Sequence, residues 1–266
     1  MNPSLLIPEP IIMLHLFRAR WRDLIPAECP GCARRVSGQG LCPACRGALG
    51  RCPSVPRCAW CQHPLVQGRC PDCSRAAPAC DRIVSAFDYL GVGQRLIQAY
   101  KLQGQLSLAS LLVQELETAI LAAGWAAAGP PQCIVPVPAR AAALRQRGFS
   151  PPAEVARQLA RRLGIPYRLG ALRRLHEGPR QAALPRSARL TSQQGLLASA
   201  SPVDGLRVAV VDDVMTTGAT LMACRAVLVE AGAVQVEAWV LARALQFGPC
   251  SISSSSNPKS RPTPAM

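Results

Sequence analysis

The chain is poor in lysine, histidine and aromatic residues: of its 266 residues three are histidine, 4% are aromatic, and Lys101 and Lys259 are the only lysines. Arginine therefore supplies almost all of the basic side chains behind a formal net charge of +15. The planar guanidinium suits phosphate and carboxylate oxygens, so this charge predicts anionic partners. The shortage of aromatic rings argues against a surface that binds single strands mainly by stacking bases.

Signals for disorder, secretion and membrane insertion are also missing. Hydrophobic residues make up 49% of the chain, which excludes a wholly disordered protein. No uninterrupted apolar run reaches the ~18 residues of a membrane span. The apolar N-terminal stretch is broken by Pro8, Glu9 and His15, and its arginines follow it rather than precede it, unlike a secretory signal. The length suits one α/β domain with a small appendage.

Cysteine, by contrast, is abundant. An odd total of 13 without a secretory signal indicates reduced thiols and a cytoplasmic protein. Eight of them form four CxxC pairs, and two such turns complete a tetrahedral four-cysteine zinc site. The predicted metal ligands are Cys29, Cys32, Cys42, Cys45, Cys58, Cys61, Cys70 and Cys73.

The connectors between the paired turns are short, 9 residues from Cys32 to Cys42 and 8 from Cys61 to Cys70. They favour two sequential zinc sites, with interleaved pairing as the alternative. Disulfides, a redox CxxC and an iron–sulfur cluster are the weaker alternatives to zinc. Closed four-thiolate sites leave no position for catalysis, so this part is predicted to be a scaffold or docking surface. His63 is expected in a solvated loop rather than as a ligand.

After Cys80 the pattern alternates between strand and helix, which predicts an α/β fold with a parallel sheet flanked by helices. Strands are predicted at 83–90, 133–137, 206–211 and 234–242, with a further one at 166–172. Helices are predicted at 94–102, 106–123, 152–163 and 218–231, and a mobile loop over 173–203. The predicted organisation is an N-terminal segment (1–25), a zinc module (26–80), the α/β domain (81–246) and a disordered Ser/Pro tail (247–266).

The most informative segment is 208–221. A buried strand ends in two adjacent carboxylates, Asp212 and Asp213, and a loop of small residues then opens a helix. Backbone N–H groups at a helix N-terminus can bind a phosphate, and the carboxylates can accept hydrogen bonds from vicinal hydroxyls, which predicts a sugar phosphate. A helix cap would explain one acid but not two. The predicted phosphate loop consists of Thr216, Thr217, Gly218, Ala219 and Thr220.

Two other nucleotide-binding motifs are not matched. The chain contains no GxxxxGK[ST], which excludes a P-loop NTPase. The stretch from Gly91 begins like a dinucleotide fingerprint but lacks its third glycine.

Segment 208–221 resembles the ribose-phosphate signature of type I phosphoribosyltransferases. With the CxxC pairs before it, the chain resembles the ComF (competence protein F) family, in which a double zinc ribbon precedes a type I phosphoribosyltransferase domain. The resemblance covers about residues 20–245. Further matches are Trp21–Cys32, Tyr89, Lys101–Gly104, Val135–Pro138 and Arg147–Phe149.

The resemblance implies a ligand, phosphoribosyl pyrophosphate (PRPP) with Mg²⁺, and two structural zinc ions. It assigns Asp212 and Asp213 to the ribose hydroxyls and to catalysis, and loop 216–220 to the 5-phosphate. The pyrophosphate loop would run from Pro138 to Gly148. Its candidate contacts are Arg140, Arg145 and Arg147.

Two functions follow from the resemblance. One is transfer of the phosphoribosyl group from PRPP to an acceptor. The alternative is a non-catalytic competence protein that binds single-stranded DNA or DNA-uptake proteins. Thr216 stands where purine-salvage relatives often carry an aspartate, which disfavours purine salvage. Residues 140–189 hold twelve arginines against two acidic residues, and this placement favours a pyrophosphate-bearing ligand, with DNA second.

Overall fold

The structure is a computed structural model that describes residues 26–37, 40–49, 56–74, 78–126, 128–175 and 196–245. The predicted N-terminal segment 1–25 and the predicted Ser/Pro tail 247–266 lie outside the described residues. The strands are β1 (Pro26–Glu28), β2 (Arg35–Ser37), β3 (Arg82–Asp88), β4 (Cys133–Pro136), β5 (Leu172–Arg174), β6 (Leu197–Ser199), β7 (Arg207–Met215) and β8 (Gln235–Arg243). The helices are α1 (Pro43–Leu49), α2 (Gly91–Leu102), α3 (Leu108–Ala123), α4 (Ala141–Arg147), α5 (Pro151–Leu163) and α6 (Ala219–Glu230).

Four of the strands form one sheet in the order β3-β8-β7-β4, and every pairing in it is parallel. The central strands β7 and β8 are nine residues each and carry apolar side chains on both faces. Such continuous apolar strands are typical of a sheet covered by helices on both sides. The predicted α/β class with a parallel sheet is therefore confirmed.

Side chains alternate across β7 and so divide the interior into two cores. Ala209 and Val211 pack on one face with α2, α3 and α5. Val208 and Val210 pack on the opposite face with α6. The first CxxC quartet belongs to the first core, because Cys29, Cys42 and Cys45 are buried there with Leu41 and Leu49. The second quartet belongs to the other core, where Cys58, Cys61 and Cys70 are buried.

Three details differ from the sequence predictions. The predicted strand at 166–172 is reduced to a single bridge between Ile134 and Tyr167, and the strand itself begins at Leu172. The ends of the predicted mobile loop 173–203 pair as the antiparallel strands β5 and β6, while 176–195 lies outside the described residues. Helix α4 occupies the predicted pyrophosphate loop and ends at Gly148, which adopts φ 75°. Its seven residues bury no side chain, so no apolar stripe marks it in the sequence.

Helix α5 begins within the sequence Ser150-Pro151-Pro152. The Ser150 side chain accepts a hydrogen bond from the backbone N–H of Ala153, and the two prolines occupy the first helical turn, where no N–H is needed. Among the described residues, none of the helices has both the length and the apolar character that a membrane crossing requires.

Candidate ligand cleft and metal clusters

A cleft of about 430 Å³ lies at the carboxyl edge of the sheet. The ends of β4 and β7 and the first turn of α6 form its floor, and α4 and the start of α5 form one wall. Ligands of open α/β sheets bind at this edge. The cleft brings together Asp212, Asp213, Thr216, Thr217, Gly218, Ala219, Thr220, Arg140 and Arg147. Arg145 does not line it, because its side chain lies on the exposed face of α4.

The two carboxylates at the end of β7 have different partners. Asp213 is buried and forms an ion pair with the Lys101 ammonium, with 2.6 Å between Nζ and Oδ2. Asp212 is half-buried, and its Oδ1 accepts the backbone N–H of Asp213 at 2.8 Å. Burial and the negative charge of Asp213 together raise the pKa of Asp212 to about 7, although Lys101 acts in the opposite direction. The pair therefore holds less than two negative charges at neutral pH.

The loop between β7 and α6 turns on Gly218. Gly218 has φ 82°, and a Cβ atom there would lie 2.9 Å from the Met215 Cε and 3.0 Å from the Ala79 Cβ. Glycine is therefore required for both the backbone conformation and the space. The Thr217 hydroxyl accepts the backbone N–H of Ala219 at 3.3 Å. This arrangement leaves the first turn of a twelve-residue helix facing the cleft, where backbone N–H groups and the helix dipole attract anions.

The cleft is also lined by basic side chains. Arg140 and Arg147 stand at the two ends of α4, and Arg174 approaches from the end of β5. All three side chains are half-buried. Guanidinium groups pair well with phosphate and carboxylate oxygens, so the cleft holds cationic side chains in addition to a helix N-terminus.

The eight predicted metal ligands form two groups, Cys29/Cys32/Cys42/Cys45 and Cys58/Cys61/Cys70/Cys73. Within each group the sulfur atoms all lie within 4.8 Å of one another. The arrangement is the sequential one; the interleaved alternative is not formed. The described cysteines are all free, so disulfides do not account for them.

Four thiols at this spacing fit a zinc ion. A tetrahedral ion with Zn–S bonds of ~2.3 Å separates its sulfurs by ~3.8 Å. The Cys32–Cys42 and Cys58–Cys73 sulfurs are 3.7 Å and 3.8 Å apart, and the Cys61–Cys70 sulfurs are 3.4 Å apart.

Backbone amides also favour thiolates in these groups. Burial acts to raise the pKa of Cys29, but hydrogen bonds from the backbone N–H groups of Cys42, Gly31 and Cys32 lower it to about 6. Burial raises the pKa of Cys45 to about 12, and the neighbouring thiols add to the effect. Burial also raises the pKa of Cys61 to about 12, although a hydrogen bond involving the His63 backbone acts in the opposite direction. Four crowded thiols cannot all ionise without a cation between them, which is the property of a metal site.

His63 is not the solvated loop residue that the sequence suggested. Its side chain is only 3% exposed, and its Nδ1 lies 2.7 Å from the Pro64 carbonyl oxygen, to which it donates. His63 is absent from both four-sulfur groups, in agreement with the expectation that it is not a ligand.

Three residues of the site carried weaker sequence signals. Lys101 and Tyr89 line the cleft; Tyr89 was matched to the family as a single residue and Lys101 as the start of the short segment Lys101–Gly104. Arg174 also lines it, but nothing in its local sequence distinguishes it from the other arginines. Lys101 could have been identified from the sequence, because an acidic pair needs a nearby cation and Lys101 is one of only two lysines in the chain.

The parallel sheet, its acidic strand end and the threonine-rich helix entry are the features that the sequence resemblance to type I phosphoribosyltransferases predicts, and two four-cysteine groups lie at the N-terminal side. Two curated relatives allow a more specific assignment. The chain is 30% identical to Competence protein F of Haemophilus influenzae over 215 residues, or 79% of this chain and 93% of that protein. It is 30% identical to the DNA utilization protein YhgH of Salmonella typhi over 219 residues, or 82% of this chain and 90% of that protein. The chain belongs to this competence protein F family.

No family model matches the chain. Solved structures that align with it include a glutamine PRPP amidotransferase from B. subtilis, with 22% identity, a TM-score of 0.31, and coverage of 58% of this chain and 27% of that one. A purine phosphoribosyltransferase from Pyrococcus horikoshii aligns with 18% identity, a TM-score of 0.30, and coverage of 59% and 78%. Because these TM-scores are low, the family assignment depends on the sequence relatives.

Proposed function

We propose that the chain binds PRPP with Mg²⁺ in the cleft at the carboxyl edge of the sheet and transfers its phosphoribosyl group to an acceptor. One observation carries the proposal: the acidic pair at the end of β7, the turn of α6 and the arginines of α4 all face one cleft. A matching ligand offers hydroxyls to the acidic pair, one phosphate to the turn of α6 and further anionic oxygens to the arginines. PRPP has all three of these parts.

The roles of the residues follow from their chemistry. Asp212 and Asp213 accept hydrogen bonds from the ribose hydroxyls and offset the positive charge that develops on the sugar ring as the pyrophosphate leaves. Residues 216–220 hold the 5-phosphate through backbone N–H groups and hydroxyls. Arg140 and Arg147 hold the pyrophosphate oxygens, while Arg145 faces solvent and supplies only long-range charge.

Mg²⁺ fits the donor set, because carboxylate and phosphate oxygens are its preferred ligands and Asp212 and Asp213 are at hand. When bound, it would supply charge compensation for the leaving pyrophosphate. Zinc in the two four-cysteine groups would be structural, because four thiolates close the coordination sphere. Reduced thiols are those of the cytoplasm, so we place the protein there.

The test is a calorimetric titration of the zinc-loaded protein with PRPP and Mg²⁺. We expect saturable binding to the wild type and at least a tenfold weaker affinity for Asp213→Asn. Glu117→Gln is the matched control, because it also removes one negative charge, but from a surface pair with Arg162 that does not line the cleft. An absence of binding to the wild type would refute the proposal. Pyrophosphate release across a panel of amine and nucleobase acceptors then distinguishes transfer from binding alone.

A second function, binding of single-stranded DNA, is favoured by the names of the relatives and by Trp60. This side chain is 53% exposed and lies between Cys58 and Cys61 of the second group, where a base could stack on it. We expect oligonucleotide affinity to fall steeply with salt and to weaken about fivefold or more in Trp60→Ala. Trp125→Ala is the control, since Trp125 is 40% exposed but packs against Trp239. Equal effects of both variants would refute a role for Trp60.

A further inference from the structure

The side chain of Arg243 is completely buried, and it joins two regions that are far apart in the chain. Arg243 is the last residue of β8 and is 0% exposed. Its Nη2 donates to the Asp72 carboxylate, which lies between Cys70 and Cys73 of the second four-cysteine group. Its Nη1 donates to the carbonyl oxygens of Met215, at 3.0 Å, and of Thr216. One guanidinium therefore touches both the second metal group and the start of the phosphate loop.

Stability alone is a poor explanation for such a contact. Removing a guanidinium and a carboxylate from water is costly, and a well-packed apolar pair often stabilises a fold as well or better. Asp72 is 8% exposed, so water compensates little for the loss of hydration. What the arginine provides, and an apolar side chain could not, is several N–H donors in fixed directions.

These donors act on the backbone that must bind phosphate. In a planar peptide the C=O and the N–H point in opposite directions. The Thr216 carbonyl accepts from Arg243, and the Met215 carbonyl accepts from Arg243 and from the backbone N–H of Ala244, so the N–H groups of the same peptides, those of Thr216 and Thr217, are directed away from these donors. Thr216 and Thr217 both line the cleft. Arg243, with the Ala244 N–H at the first peptide, thus fixes the two peptide planes with which the phosphate loop begins.

We propose that Arg243 and Asp72 are positioning residues for the phosphate loop, and that through them the second four-cysteine group stabilises the phosphate-binding conformation. The ligand named in this inference is that of the proposed function. The loop conformation itself can be measured without any ligand. Because coupling is reciprocal, a 5-phosphate bound at the loop also strengthens metal retention by the second group.

The chain offers a matched control pair. Arg57 lies beside the same four-cysteine group and donates to Asp88 at the end of β3, with 2.9 Å and 2.6 Å between nitrogen and oxygen. This pair also joins the second group to the sheet by a guanidinium and a carboxylate. Among the contacts that the structure describes, however, it does not reach the carbonyls of the phosphate loop.

The experiment compares Asp72→Asn, Arg243→Lys and their double variant with Asp88→Asn, all as full-length, zinc-loaded proteins. Zinc content and circular dichroism establish that each is folded and metallated. Titrations with PRPP, ribose 5-phosphate and inorganic pyrophosphate follow, together with hydrogen exchange of the backbone amides of 215–220 in ligand-free protein. Asp72→Glu serves as the conservative rescue of the carboxylate.

We expect Asp72→Asn to weaken PRPP and ribose 5-phosphate by about the same factor, roughly tenfold, because both carry the 5-phosphate. Pyrophosphate, which faces the arginines of α4, should bind within about twofold of wild type. Amide exchange of 215–220 should accelerate about tenfold, and Asp72→Glu should restore part of both effects. The double variant should lose little more than either single variant, because both remove one interaction.

An unchanged exchange rate and an unchanged affinity in Asp72→Asn would overturn the inference, as would equal losses for pyrophosphate and the two sugar phosphates. An equal effect of Asp88→Asn would reduce the contact to general stabilisation and overturn it too. If the wild type binds no PRPP, the proposed function fails, and amide exchange alone decides the inference. If Asp72→Asn does not fold, Arg243→Lys and Asp72→Glu decide it on the same readouts.

Discussion

The two four-cysteine groups have the same ligands and nearly the same spacing, but they contact the rest of the protein differently. The first contacts α2 through a neutral backbone acceptor: the Arg95 side chain donates to the Gly31 carbonyl at 3.2 Å and 3.0 Å, and the buried cysteines join an apolar core. The second contacts the sheet through two buried or half-buried ion pairs, Arg57–Asp88 and Arg243–Asp72. Both groups pack into an apolar core, and the second is in addition joined to the sheet by these two ion pairs of low solvent exposure.

The difference also follows the two faces of the sheet. The first group packs on the face covered by α2, α3 and α5, and the second on the face covered by α6. The side chains of Asp212 and Asp213 also point to opposite faces of the sheet, because neighbouring residues of a strand do so. Asp213 forms its ion pair with Lys101 of α2, whereas the charge of Asp212 contributes to raising the pKa of the buried Cys224 thiol of α6. The two similar four-cysteine groups therefore pack on the two opposite faces of the sheet whose carboxyl edge carries the cleft.

Removal of one cysteine ligand from each group should show the largest difference between the two groups. Cys42→Ser and Cys70→Ser should each cost one zinc and destabilise the surrounding segment, because a structural zinc contributes ~10–16 kcal/mol of apparent binding free energy. Only Cys70→Ser should also weaken PRPP binding by about tenfold or more. Metal content by plasma emission and affinity by calorimetry check this. Equal losses of affinity would show that the two groups are not functionally different.

The ion pairs beside the two four-cysteine groups should differ in how much they contribute to the free energy of unfolding. Arg57→Met should lower the free energy of unfolding by about 2 kcal/mol, because it removes the guanidinium that faces the Asp88 carboxylate, whose side chain is 17% exposed. On the first group, Arg46 approaches Glu115 at only 3.9 Å and its side chain is 54% exposed. Arg46→Met should therefore cost less than ~0.5 kcal/mol. Urea unfolding measures both, and similar values would contradict the contrast.

Substitution of two glycines should change stability in opposite directions. Gly218→Ala should destabilise the protein by about 1–2 kcal/mol and weaken phosphate binding, since its φ is 82° and the new methyl group would meet Met215 and Ala79. Gly47 lies in α1 of the first group, with open space around it. Gly47→Ala should stabilise by about 0.5–1 kcal/mol through helix propensity. Thermal unfolding of both variants tests the pair of signs.

The two adjacent acids of the cleft should give stability a modest dependence on pH. Burial and the charge of Asp213 raise the pKa of Asp212 from 3.8 to about 7. Between these values the folded state binds more protons than the unfolded state, so this residue makes stability fall as the pH rises from about 4 to about 7. The effect is on the order of 1 kcal/mol because solvent screens a half-buried group. Asp212→Asn should therefore stabilise the protein more at pH ~7.5 than at pH ~5 in urea unfolding, and a uniform gain would contradict the assignment.

Much of the fold was predictable because its signals are local. Four CxxC pairs, apolar strands followed by helices, and the two acids before a small-residue loop each arise from neighbours in sequence. Helix α4 escaped detection because it packs no side chain into a core, and the strands β5 and β6 because each has only three residues.

The contacts that complete the site could not be predicted from local sequence. Lys101 meets Asp213, and Arg243 meets Asp72, across more than a hundred residues of chain. The tertiary packing of a helix and of the second four-cysteine group against the sheet brings these partners together. Arg145 illustrates a second limit of local sequence. The rotational orientation of a short helix places Arg140 and Arg147, but not Arg145, at the cleft, and local sequence does not specify this orientation.

The distance in sequence between Asp72 and Arg243, 171 residues, has a consequence for biosynthesis. At ~5–20 residues per second, a ribosome needs roughly 10–35 s to make the chain between them. Throughout that interval the second four-cysteine group has been synthesised, while the strand that supplies its buried cation does not yet exist. Metal capture can therefore precede the sheet, whereas closure of the carboxylate–guanidinium contact must await the last strand. We expect docking of the N-terminal module to be a late and slow event in the maturation of the newly made chain.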